Sequence, residues 1–102
     1  MLAQTTPLTR WQARSAELMA VLDGVAATTD FDPTLFRARM LRARLARDIA
    51  WSNSTTHEIT RDAILSTLLD KWGPNRLTPA VYDCEASARR HATSPALEMA
   101  NG

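Results

Sequence analysis

Five arginines crowd one short stretch of this sequence, Phe36-Arg37-Ala38-Arg39-Met40-Leu41-Arg42-Ala43-Arg44-Leu45-Ala46-Arg47, against a single acid nearby, Asp48. Guanidinium groups in such a run can grip phosphates or carboxylates through two parallel hydrogen bonds. The stretch carries about +4, so the remainder of the chain is mildly acidic and the formal total is only +1. Two chemistries follow for Arg37, Arg39, Arg42, Arg44 and Arg47. They can neutralise a nucleic-acid backbone, or they can cover the edges of apolar stripes with their methylene stems and pair with acids on neighbouring helices. On a helix they divide into two borders, Arg39 and Arg42 on one and Arg37 and Arg44 on the other. That division favours packing and pairing over a continuous phosphate-binding stripe.

Other reactive residues form no comparable group. Cys84 and His91 stand seven positions apart on nearly one helix face, a conceivable nucleophile and base. Two turns separate their backbones by ~10 Å, so the pair cannot hydrogen-bond directly, and a buried structural thiol is the expectation for Cys84. His57 and Glu58 are adjacent and diverge on a helix. Glu58 reads as part of a capping box and His57 as solvated. Two histidines and one cysteine at unrelated spacings make no metal site, and no nucleotide-binding or cofactor motif is present. The residues therefore imply neither catalytic groups nor a cofactor, and an enzyme is the third choice among functions.

The elements that must position these residues are helices. Ala, Leu and Arg abound, glycine occurs three times in 102 residues, and no β-branched alternation appears. An all-α fold is expected, a small bundle of four short helices over residues 7–93, with tails at 1–6 and 94–102. Thr6-Pro7, Asp32-Pro33 and Thr78-Pro79 each set a capping side chain before a proline, a helix-start signal. Thr55-Thr56-His57-Glu58 has the capping-box pattern. Gly73-Pro74 marks a helix end and Pro95 another. Phe31 with Phe36, and Leu77 with Tyr82, have the spacing of hydrophobic staples.

Leu8, Trp11, Ser15, Leu18, Leu22 and Val25 step by three and four along the first helix. Ile64, Leu65, Leu68, Leu69 and Trp72 form the stripe of the third, with Asp62, Thr67, Asp70 and Lys71 facing water. Val81, Cys84, Ala88 and Ala92 give the fourth a narrow face of small residues. The second helix is apolar on two sides. Leu35, Ala38, Leu41, Leu45 and Ile49 make one face, and Phe36, Met40, Ala43 and Trp51 the other, roughly opposite. A helix of that kind is sandwiched within its chain or between chains. Phe, Met and Trp bordered by Arg is also the composition of an interface hot spot.

A single cysteine rules out an internal disulfide. The first residues lack the pattern of a signal peptide, and no apolar stretch approaches the ~20 residues of a membrane span. The expectation is a cytoplasmic helical interaction protein, an adaptor, regulator or accessory subunit. It would act on a protein partner or on itself, as a homodimer or complex subunit, through Phe36, Met40, Ala43 and Trp51. The alternative is a nucleic-acid-binding regulator using the five arginines.

Overall fold

The computed structural model describes residues 6–101, with side chains through residue 92. Four helices follow one another, α1 (Pro7–Thr28), α2 (Asp32–Ser54), α3 (Glu58–Lys71) and α4 (Leu77–Asn101), and the described residues contain no strand. The fold is an all-α bundle. α1 is its axis, packing against α2, α3 and α4, while α3 and α4 hardly meet.

The periodicity of α1 is realised directly: Trp11, Ser15, Leu18, Leu22 and Val25 are all buried. Ala38, Leu41 and Leu45 of α2, Leu65 and Leu68 of α3, Trp72, and Val81, Cys84 and Ala88 of α4 close on that stripe as one core. Small side chains on α4 let it approach α1, as their spacing implies. Leu8, Met19, Ile49, Ile64 and Leu69 fill the margins.

Helix starts are less uniform than the sequence suggests. Only Thr6 caps as expected, its hydroxyl oxygen accepting the Thr9 N–H at 3.1 Å. Asp32 lies inside α2, and neither α2 nor α3 has a side-chain cap. The Thr55 to Glu58 box does not form, because His57 occupies the boundary and the threonines lie outside it. Thr78 turns its hydroxyl the other way, donating to the Trp72 carbonyl at 2.7 Å and so closing the α3–α4 connection. Phe31 also differs from expectation. Its ring stacks on His91 at 3.7 Å between centroids, joining the α1–α2 loop to α4, while Phe36 is left in solvent. Nor does Pro95 end α4, which continues to Asn101. One proline removes a single N–H donor, and the Ala96-Leu97-Glu98-Met99-Ala100 run beyond it consists of strong helix formers. Residues 1–5 and Gly102, and the side chains of Leu97 and Met99, fall outside the described residues.

Gly73 follows α3 as expected but for a different reason. Its φ is not positive; a Cβ there would lie 2.9 Å from the Leu69 carbonyl oxygen and 3.2 Å from that of Asp70. Close backbone approach, not a left-handed turn, demands glycine. Gly24 has open space around its missing Cβ and sits inside α1. Gly24→Ala should therefore raise stability by about 0.5–1 kcal/mol, and Gly73→Ala should lower it. Urea midpoints of the two variants against the wild type check both signs.

Candidate functional site

The geometry of α2 is fixed from its inner side by two polar residues one turn apart. Asp48 and Ser52 fall in the same arc as Leu41 and Leu45, and both are buried. Asp48 Oδ2 accepts the Trp72 indole N–H at 2.9 Å and a hydrogen bond from Lys71 Nζ at 2.8 Å. Ser52 Oγ accepts the Trp11 indole N–H at 2.9 Å and donates its own proton to the Ile49 carbonyl at 2.7 Å. Two buried tryptophans, one from α1 and one at the end of α3, are thus satisfied by one helix. Lys71, expected to face water from its place on α3, is partly exposed but also engaged. The only lysine in the chain reaches back to Asp48 and lies 5.9 Å from the centre of the Trp72 ring.

With that face inward, the opposite one is outward. Phe36, Met40 and Trp51 are 66%, 46% and 49% exposed, and Ala43 is exposed between them. Fifteen residues separate Phe36 from Trp51, so the stripe runs about 22 Å along the helix. Near Trp51 the surface dips into a hollow lined by Arg47, Asp48, Ala50, Trp51 and Ser54. The four residues singled out by sequence thus share one solvent-facing surface, and no described residue covers it.

All five arginines of α2 are exposed. Arg42 pairs with Asp23 of α1. Pairing with neighbouring helices, expected for the set, stops there: Arg37, Arg39, Arg44 and Arg47 make no hydrogen bond or ion pair with any described residue. Arg37 and Arg44 flank the apolar stripe on one side, Arg39 flanks it on the other, and Arg47 rises through its middle.

Cys84 is buried and free, and His91 is engaged with Phe31 rather than with the thiol. Burial pushes the Cys84 thiol above its ordinary range, more than the nearby Arg37 lowers it, with Asp83 adding to the rise. A thiol held protonated is a poor nucleophile. His57 and Glu58 are both exposed. Among the described residues no three His, Cys, Asp or Glu side chains are grouped to hold a metal ion. No described helix is long and apolar enough to cross a membrane. The groove between α1 and α4, lined by Ala20, Gly24, Thr28 and Ala88, carries only Glu85 and Arg89 as charged groups, and these pair with each other at 3.3 Å. The chain is similar to none of the family models, curated proteins or solved structures with which it was compared.

Sequence reasoning missed the Asp48, Ser52, Lys71, Trp11 and Trp72 cluster. The signal was present: Asp48 and Ser52, four apart, interrupt the buried arc of α2 where apolar residues belong. An alkylating reagent should react with Cys84 far more slowly in native protein than in urea. Mass spectrometry of the labelled chain checks this, and fast native labelling would place the thiol at the surface.

Proposed function

We propose that this protein is an interaction module that binds another protein chain through the outer face of α2. One observation carries the reading: Phe36, Met40 and Trp51 stand in a row on one helix, open to solvent, among four arginines with no partner among the described residues. Exposed apolar patches rimmed by polar groups mark association surfaces. Trp and Arg supply the anchors that dominate binding energy at such surfaces. Burying the stripe costs the module little ordering entropy, because α2 is already fixed by Asp48 and Ser52 on its inner side. An adaptor or accessory subunit fits this arrangement.

Nucleic-acid binding is the second reading, favoured by the four arginines that pair with no described residue. Phosphate contacts would make log affinity fall linearly with log salt concentration. Losing two contacts through Arg39→Gln and Arg44→Gln would then flatten the slope by about 2. The apolar stripe lies between the arginine borders, where a phosphate backbone would have to pass, and this ranks the protein partner first.

Replacing Met40 and Trp51 together with Gln should leave the urea midpoint nearly unchanged, since exposed substitutions alter stability by about 0.5 kcal/mol or less. The same variant should lose stoichiometric association, measured by light scattering on the chain purified from its own cells with whatever accompanies it. A wild-type chain that is monomeric and accompanied by nothing in defined stoichiometry contradicts the proposal.

A further inference from the structure

The outer face of α2 combines an apolar stripe with a charge pattern that discriminates between occupants. Arg37 and Arg44 border one side, Arg39 the other, and Arg47 stands within it, all exposed and unpaired among the described residues. The one exposed acid on this face, Asp32, stands at the start of the helix and pairs with none of them. The only acid in the middle of the helix, Asp48, is buried at the floor of the hollow beside Trp51 and is committed to Lys71 and Trp72.

A second copy of α2 is a poor match for this surface. In an antiparallel two-fold pair each arginine border meets its own copy, and in a parallel pair the Arg37 and Arg44 border meets the Arg39 and Arg42 border. Either way guanidinium faces guanidinium around a small apolar centre, and the one carboxylate that pairs with these arginines, Asp23, is already taken by Arg42. Like charges juxtaposed across an interface oppose association. The complementary surface has the reverse charge pattern, an apolar ridge flanked on both sides by carboxylates. A helix with Leu, Ile or Phe at steps of three and four and Glu or Asp at the flanking positions meets both requirements over the about 22 Å available. Such a helix also suits the guanidinium fork, which takes a carboxylate through two hydrogen bonds.

We infer that the outer face of α2 receives an acidic amphipathic helix of another protein, with Phe36, Met40 and Trp51 against its apolar ridge and Arg37, Arg39, Arg44 and Arg47 on its carboxylates. The inference rests on the reading of this face as a protein-binding surface and adds the chemistry of the partner. The hollow beside Trp51, with Arg47 on its rim, gives the ridge one anchor point.

Fluorescence anisotropy with three labelled probes tests it on the full chain. The first is an 18-residue helical peptide with Leu on one stripe and Glu on its flanks, about 27 Å long. The second carries Lys in place of every Glu, and the third is a short DNA duplex. The acidic peptide should bind at least about tenfold more tightly than the basic one. The charge-reversed quadruple variant Arg37→Glu, Arg39→Glu, Arg44→Glu, Arg47→Glu should invert that preference, a result that a merely misfolded variant cannot give. Met40→Gln with Trp51→Gln should abolish binding of the acidic peptide. Equal binding of the two peptides, or binding of neither, overturns the inference. Binding to DNA alone overturns it in favour of a phosphate partner. A wild-type dimer that Met40→Gln with Trp51→Gln dissociates also overturns it, while leaving the face intact as a protein interface. Tight acidic-peptide binding that is indifferent to Met40, Trp51 and the arginines refutes the face itself.

Discussion

The arrangement of this molecule depends on one buried constraint: the indole N–H groups of Trp11 and Trp72 must have acceptors, and α2 supplies both. An indole nitrogen enclosed without a partner costs about 1–3 kcal/mol, whereas the net gain from a satisfied bond is about 1 kcal/mol. Ser52 answers Trp11 and Asp48 answers Trp72, with Lys71 balancing the carboxylate. Because the two acceptors are one turn apart, they fix the rotation of α2 about its own axis as well as its height against α1 and α3. Hydrophobic contacts of Leu41 and Leu45 would tolerate some rolling of the helix. The polar pair does not.

From that rotation the rest follows. Turning Asp48 and Ser52 inward turns Phe36, Met40, Ala43 and Trp51 outward, along with the arginines. Charge is sorted in the same step, because the one acid in the middle of α2 is buried and matched by Lys71. The surface that remains is basic and apolar together, on a chain whose formal charge is only +1. At physiological salt its field reaches about 8 Å, so it acts on what touches it rather than on distant ligands. Other polar ties are peripheral. Tyr82 on α4 donates its hydroxyl to Glu17 on α1 at 2.6 Å. That bond, with burial and the nearby Glu17 and Glu85 charges, raises the phenol above its ordinary value against a lowering by Arg14. Its contribution is present below the ordinary phenol range and is lost as pH rises through the raised value.

Much of this was legible in the sequence because helical periodicity reports burial directly. The stripe from Trp11 to Val25 is the buried face of α1, and the two apolar faces of α2 separate into an inner and an outer one. What the sequence did not disclose were relations between helices. Lys71 lies on the polar side of its own helix by angle, yet it pairs with Asp48 because α3 ends against α2. Phe31 has the spacing to contact Phe36 but finds His91 on α4 instead. Local signals misled where two acceptable solutions compete. A threonine before proline can cap a helix, as Thr6 does, or close the preceding turn, as Thr78 does. The arginines of α2 illustrate the same limit, since pairing partners are a tertiary property and, among the described residues, only Arg42 of the five meets one. Whether the outer stripe would be covered by α4 was likewise undecidable until the position of α4 against α1 was known.

The folded chain shields Trp11 and Trp72 while presenting Trp51 to solvent. Acrylamide quenching of tryptophan fluorescence in the wild type and in Trp51→Phe measures this directly on the folded chain. The wild type should show one readily quenched component at the red edge of its emission. Trp51→Phe should remove that component and leave two tryptophans that acrylamide barely reaches. Quenching that persists unchanged in Trp51→Phe would show that the indoles held by Asp48 and Ser52 are open to water, and would contradict the account.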